Sequence, residues 1–437
     1  MIVKQEIMNT TDINRSIAPA AESLQFGGFP AFTETKINNQ FPCFCFENFN
    51  SEVVRLDILV KSGSWIQQKP LQASSMARMM TEGTRQFNSF QIAEAIDFGG
   101  AYIDVTASNH HTTFSIFAVK HILVKLFPIL KSILTEATFP EEEFRVILAN
   151  NKQEFIIGNR KVMNLARRIF PSMLYGEKHP YGKTICEADF DNLVTEDLKH
   201  LYNHLPFGEL SLYIGGNIDS DVIASLNDLL KDINNNGSGI PEQEFTIQPS
   251  AEKEKIVLVE DAVQSAIMMG IPVVGRSHPD FPLLALTNTI LGGYFGSRLM
   301  KTIREEKGFT YGISSGLALR AKASHLSIQT EVNTDITQQA LDEIFKEISR
   351  LSAEKVLMEE LNIARNYIFG NLLRSLDGPF ALTEKLMHMH ADNLDPKKYF
   401  RNYWDSIANA SPEDVLLTAK KYLNPDEMRV LIVGNKK

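Results

Sequence analysis

Apolar and polar positions alternate most clearly in three places along the chain. Val54, Leu56, Ile58 and Val60 repeat at period two, and Thr113–Val119 and Leu326–Val332 alternate in the same way. Such a stripe is what a strand with one buried face requires. The two later strands are each followed by a helical pattern. In the second of these, Leu341, Ile344, Phe345 and Ile348 hold the i, i+3, i+4, i+7 spacing of a core-facing helix. Alternating strands with helices over one side predict an α+β fold, an α/β sandwich of an antiparallel sheet covered by helices, rather than a doubly wound sheet.

The pattern occurs twice. Thr195, Glu196 and Asp197 open a helix that leads to a strand at Leu212–Gly216, and Pro412, Glu413 and Asp414 open one that leads to Val430–Gly434. Equivalent positions lie about half the chain length apart, so an internal duplication is the simplest reading. Between the halves, Asn234, Asn235, Asn236, Gly237, Ser238, Gly239 and Pro241 form a turn-rich, apolar-poor segment of the kind that joins domains. The predicted division is 1–231, a linker at 232–254, and 255–437, with the two sandwiches facing each other like the halves of a shell.

Composition narrows the class. With 437 residues the chain exceeds one ordinary core, and 44% hydrophobic with 22% charged residues is a globular profile. A net charge of −9 argues against a nucleic-acid surface, since phosphate binding needs clustered Lys and Arg. No apolar run reaches the roughly 18 residues of a membrane helix, and the first residues lack a secretory apolar core. Cys43, Cys45 and Cys186 are too few for a disulfide framework. In a strand Cys43 and Cys45 point to one face, and buried thiols are expected. These features together predict a cytoplasmic protein.

The strongest local signal is LGGYFGSRLMKTIREEKGFTYGISS, residues 291–315. Gly292, Gly293 and Gly296 permit tight turns or close backbone approach. Ser297 is placed to cap a helix whose Leu299, Met300 and Ile303 face a core, and Lys307-Gly308 reads as its end. Tyr311 then opens a strand. Among the histidines, His200 and His204 sit at i, i+4, the spacing of H-E-x-x-H, but position 201 is Leu and no third ligand follows. His110-His111 reads as a turn whose side chains diverge, and His388 and His390 as helix positions pointing two ways.

Segment 291–315 resembles the C-terminal half of the pitrilysin/insulysin/mitochondrial processing peptidase family, the inverzincins. A glycine-containing loop, an Arg near the end of the following helix and a Tyr seven residues later mark that half of the family, and here they are Arg304 and Tyr311. The resemblance implies that these two bind peptide substrate near the scissile carbonyl, a role for which a guanidinium and a phenol are suitable donors. It extends over nearly the whole chain. His179-Pro180-Tyr181-Gly182 matches a turn usual in the family, with His179 structural.

The same resemblance places the inverted zinc motif H-x-x-E-H on LQASSMARMMTEGT, residues 71–84. The two histidine ligands fall on Ser74 and Arg78, the catalytic glutamate falls on Ala77, and the third ligand, in EFRVILANN, falls on Asn150. Zinc takes imidazole and carboxylate. A guanidinium about 4 Å from a doubly charged ion is repelled by roughly 8 kcal/mol at an effective dielectric of 20, a large part of the ~10–16 kcal/mol that a good site supplies. Without a glutamate at Ala77 no general base activates water. The helix itself survives, with Ala73, Met76, Ala77 and Met80 as its buried stripe.

Where such peptidases divide the work, one subunit carries zinc and the other the Arg/Tyr pair. The resemblance therefore implies a zinc-free, substrate-binding subunit of a heterodimeric metallopeptidase. Its partner would be a homologous zinc-bearing chain, its substrate an extended peptide, and it would have no metal, nucleic acid or membrane of its own. The alternative is an inert scaffold or peptide-binding pseudoenzyme of the same descent.

Overall fold

The computed structural model describes residues 24–233 and 239–435. Asn234, Asn235, Asn236, Gly237 and Ser238 of the expected linker, and the first residues read for targeting, lie outside them.

Eleven strands among the described residues make two sheets. The first contains β1 (Thr33–Ile37), β2 (Phe41–Glu47), β3 (Val53–Val60), β4 (Tyr102–Ala107), β5 (Thr112–Val119) and β6 (Ser211–Gly216), in the spatial order β1-β2-β6-β3-β5-β4. The second contains β7 (Glu254–Leu258), β8 (Gln264–Val273), β9 (Ile313–Ala318), β10 (Ser324–Asn333) and β11 (Arg429–Gly434), in the order β7-β11-β8-β10-β9. The second order repeats the first without β1. Each sheet is antiparallel except for one pair at the same place, β2 with β6 and β7 with β11. The sheets are therefore mixed, not antiparallel throughout, and the shared parallel pair is topological evidence of the duplication.

The two-residue period sorts side chains between cores. Val54, Leu56 and Ile58 face the helices of their own half, Lys120–Glu136 and Ser220–Leu230 among them. In the second sheet Ile267, Met269, Val430 and Ile432 do the same, packing with Leu341, Ile344 and Ile348 of the Thr337–Ala353 helix. The sequence predicted helices on one side only. Instead Arg55, Asp57 and Leu59, on the opposite face of β3, are buried as well.

The second cover comes from the other half. Helix Val162–Tyr175 of the first half packs on β8 and β11, its Ala166, Phe170 and Met173 meeting Ala266, Met268, Leu431 and Val433. Helix Gly378–Ala391 of the second half lies on β6, β2 and β3. The two helices occupy equivalent places in the repeat, so each half covers the other's sheet. Burying such side chains is worth about 1.5–3 kcal/mol each, and this joins the halves through apolar surface rather than through a hinge.

The described part of the expected linker also packs. The indole Nε1 of Trp65 donates to the Gln243 carbonyl at 3.1 Å. The Gln248 and Ser250 amides donate to the Tyr175 and Met173 carbonyls, at 3.1 and 3.0 Å. Residues 239–253 hold no helix or strand, yet their backbone groups cap the end of the Val162–Tyr175 helix. A turn-rich, polar composition is thus compatible with a strap held by backbone bonds.

Candidate functional site

The segment read as glycine loop, helix and strand is built differently in detail. The chain enters from helix Phe281–Asn288 into a π-turn, Thr289–Gly293, and a second π-turn spans Met300–Glu306. Single π-turns of this kind recur at functional sites. Gly292 is required by close approach, because a Cβ there would lie 2.7 Å from the Ser315 backbone nitrogen and its hydroxyl. Gly308, at φ +66, ends the helical run in the left-handed conformation, as the sequence implied. Ser297 does not cap, since its Oγ is buried without a partner. Tyr311 does not open a strand either, because β9 begins at Ile313.

Arg304 and Tyr311 are brought together. The Arg304 Nε donates to the Tyr311 carbonyl at 3.0 Å, and the guanidinium carbon sits 4.8 Å from the centre of the Phe295 ring. Phe295 was not singled out from the sequence, although an aromatic inside a glycine loop is the available signal. The Tyr311 side chain stands 96% exposed beside the edge strand β9. Tyr311 lines a cavity of about 260 Å³ with Thr310, Gly312, Ser314, Gln329 and Arg167. Arg167 comes from the first half and donates to Gln329 Oε1 at 2.9 Å. The adjoining cleft of about 530 Å³ adds Arg160 and Lys161 at its rim.

The four positions that the resemblance assigned to zinc chemistry lie on two helices, Gln72–Met79 and Glu141–Gly158. Ser74 is exposed and its hydroxyl turns back to the Leu71 carbonyl at 3.1 Å. The Arg78 side chain is 64% exposed and its closest carboxylate is Glu82, at 3.9 Å. Asn150 is also exposed. Ala77, 1% exposed, belongs to the core with Met76 and Met79. A hydroxyl, a guanidinium and an amide do not fit zinc, and the position of the catalytic base is a methyl group packed among methionines. Burial pushes the nearby Glu82 carboxyl up, against the pull of Arg78, and Glu143 adds to the rise. Among the described residues no group of three or more His, Cys, Asp and Glu could hold a metal ion.

The remaining histidines are accounted for structurally. The His200 and His204 rings lie 4.5 Å apart, and His204 Nδ1 is committed to the His200 carbonyl at 2.7 Å. His179 is buried and accepts from the Tyr181 amide through Nδ1. His110 and His111 both line a cavity of about 750 Å³ between the halves. There His110 Nε2 meets the Tyr181 hydroxyl at 2.7 Å, and Nδ1 lies 3.5 Å from Glu242. Burial pulls His111 down to about 4. His388 and His390 face different clefts. Cys43 and Cys45 share a face with sulfurs 3.8 Å apart, both buried.

A family model described as the peptidase M16 inactive domain matches residues 193–368, across the end of the first half and the Arg304/Tyr311 segment. Over that stretch the chain is similar to the M16 peptidase family. It is 20% identical to the uncharacterized zinc protease YmxG of Bacillus subtilis, over 69% of this chain and 73% of that one. A Helicobacter pylori relative, named as a non-peptidase homolog, is 21% identical over 68% of this chain and 69% of its own. The crystal structure of a peptidase M16 inactive domain from Pseudomonas fluorescens superimposes with a TM-score of 0.82 at 20% identity, covering 93% of this chain and 98% of that one. The chain shares the fold of that inactive domain, two homologous α+β halves. Among its described residues no helix is long and apolar enough to cross a membrane.

Proposed function

We propose that this chain is the zinc-free, substrate-binding subunit of a heterodimeric metallopeptidase, paired with a homologous zinc-bearing chain. The observation that carries the reading is Tyr311. It is a fully exposed phenol on the rim of a cavity beside an edge strand, held in place by the Arg304 contact to its own carbonyl. A phenol kept this open has no use within the monomer and is available to a peptide held across a partner's metal. An extended peptide adds to a sheet edge through main-chain bonds, and the subunit would work in the cytoplasm.

The test mixes the purified chain with a zinc-bearing homologue and follows peptide cleavage. Tyr311→Phe is expected to lower kcat/KM by about 10² to 10³, the usual loss for one preorganised donor, while leaving the fold intact. Full activity with both Tyr311→Phe and Arg304→Ala removes this role.

A second reading, an inert scaffold or peptide-binding pseudoenzyme, is favoured by Arg304 itself. Its guanidinium is already engaged by the Tyr311 carbonyl and the Phe295 ring. An assembly that co-purifies but cleaves nothing, with zinc present in the other chain, supports that reading.

A further inference from the structure

A second cleft lies among the helices of the C-terminal half, and neither Arg304 nor Tyr311 lines it. Helices Phe281–Asn288, Met358–Arg374, Gly378–Ala391 and Pro396–Ala408 surround a space of about 490 Å³. That volume falls within the range of small-molecule sites. Its walls are apolar and aromatic, with Tyr399 and Tyr403 stacked at 5.9 Å and Phe400 5.1 Å from Tyr399.

Beside the neutral Thr289, Asn371 and Ser375, the nitrogen groups that titrate or carry charge along this space are all basic. Arg276, Lys385 and His388 line it, and among the described residues no Asp or Glu does. Two carboxylates lie just outside the lining: Asp392 pairs with Arg276 Nη1 at 2.6 Å, and Glu384 pairs with Arg55 Nη1 at 2.8 Å while its Oε1 lies 3.8 Å from His388 Nε2. Lys385 makes no hydrogen bond or ion pair with a described residue. Burial, and after it the Arg276 charge, pull its ammonium below the ordinary lysine range. Arg276 also acts electrostatically on His388, Tyr399 and Tyr403, so all of these groups converge on one region. The Tyr399 and Tyr403 hydroxyls find no described acceptor, and burial pushes the Tyr399 phenol up to about 12.

We propose that this cleft binds a small amphipathic carboxylate, its apolar body against Phe400, Tyr399 and Tyr403 and its carboxylate against Lys385 and the free edge of Arg276. A part-buried ammonium without a partner is costly, and an incoming carboxylate offsets that cost with charge-assisted bonds. Phenol hydroxyls remain neutral donors throughout the physiological range and suit a carboxylate oxygen. The aromatic wall selects an acid with a hydrocarbon body over inorganic anions. The proposal is independent of the peptidase reading and survives its failure.

The test is calorimetric titration of the full chain with 3-phenylpropionate, decanoate and N-acetylphenylalanine, with 3-phenylpropanol, decanol and inorganic phosphate as comparisons. Ligands of this size are expected to bind one per chain with Kd of ~0.1–1 mM, and the alcohols and phosphate at least about tenfold more weakly. Lys385→Met is expected to weaken the acids by about tenfold or more, and Lys385→Arg to restore them. Circular dichroism confirms that each variant is folded. If Lys385→Met does not fold, Tyr403→Phe, which keeps the ring, is expected to weaken the acids by about threefold to tenfold. Tighter binding of N-acetylphenylalanine than of the plain acids identifies a peptide C terminus as the source of the carboxylate, and the reverse identifies a free organic acid. The proposal is overturned by acids and alcohols binding equally, by acids undiminished in the variants, or by no saturable binding up to about 10 mM, well above the expected range.

Discussion

The Arg55 guanidinium and the Glu384 carboxylate lie 329 positions apart, in opposite halves of the chain, and meet at 2.8 Å. Arg55 also donates to the Phe380 carbonyl at 3.1 Å and, through Nε, to Asp57 at 2.7 Å. Asp57 is wholly buried and receives the Ser115 hydroxyl as well. The cluster sits on the face of β3 covered by the opposite half's helix, so one cation serves both a buried carboxylate in its own sheet and the helix lying over it.

The two carboxylates should respond differently to mutation. Arg55→Met leaves Asp57 buried without a cation and is expected to cost ~3–5 kcal/mol. Glu384 is 52% exposed, and water replaces its partner, so Glu384→Gln should cost only ~0–1 kcal/mol. The Arg55 contact holds the Glu384 carboxyl below its usual range. Its small contribution is therefore present above the ordinary carboxylate pKa of about 4.3 and is lost as pH falls below it. Urea unfolding of both variants at pH 7 checks the ranking, and equal costs would refute it.

A second interdomain contact makes stability depend on pH. The Tyr175 hydroxyl lies 2.6 Å from His325 Nδ1, and burial together with the Arg320 charge pulls His325 down to about 4. The unfolded imidazole titrates near 6.5. Between about 6.5 and 4 the unfolded chain thus binds more protons than the folded one, and stability must fall as pH drops through that window. His111, also held at about 4, adds to the slope. A loss of about 2–4 kcal/mol per histidine is expected across the window. Unfolding free energies at pH 7 and pH 5, for the native chain and for His325→Asn, should show a shallower slope in the variant; an unchanged slope would remove His325 from the account.

Much of this architecture was legible in the sequence because period and repeat survive divergence. Val54, Leu56, Ile58 and Val60 announced β3, and the matched ends at Gly216 and Gly434 announced the duplication. Arg304 and Tyr311 were legible as a pair through the family resemblance of the 291–315 segment, since their spacing alone reads equally as a solvated helix-end cation and a strand residue. The mutual cover of the two sheets was not legible. Arg55 and Asp57 lie on the face of β3 that the predicted one-sided cover left open, because local pattern carries no word of a helix more than 300 residues away. Ser297 read as a cap because serine before a helix usually is one, and only the packed loop shows its hydroxyl buried. The strap at Gln243–Ser250 escaped for the opposite reason, since it is held by backbone bonds that any composition can make.

The mutual cover can be broken at a glycine. Gly270 in β8 faces the Val162–Tyr175 helix, where a Cβ would lie 2.5 Å from the Leu326 carbonyl and 2.9 Å from the Phe170 ring. Gly215 in β6, the counterpart of β11 rather than of β8, makes a like contact in the first sheet, where a Cβ would meet the Thr383 hydroxyl at 2.5 Å and the Pro379 carbonyl at 2.8 Å. Small residues at both sites let a helix from the other half come down onto the sheet. Adding one methyl forces that helix outward, and each Gly→Ala change is expected to cost ~1–3 kcal/mol. Gly316 in β9, where an added Cβ would meet nothing within 4 Å, is the control and should tolerate alanine within about 0.5 kcal/mol. Because the two helices join the halves, the glycine variants should also broaden the urea transition, as one half opens before the other. A sharp single transition with native midpoint in Gly270→Ala would show that the halves do not depend on this contact.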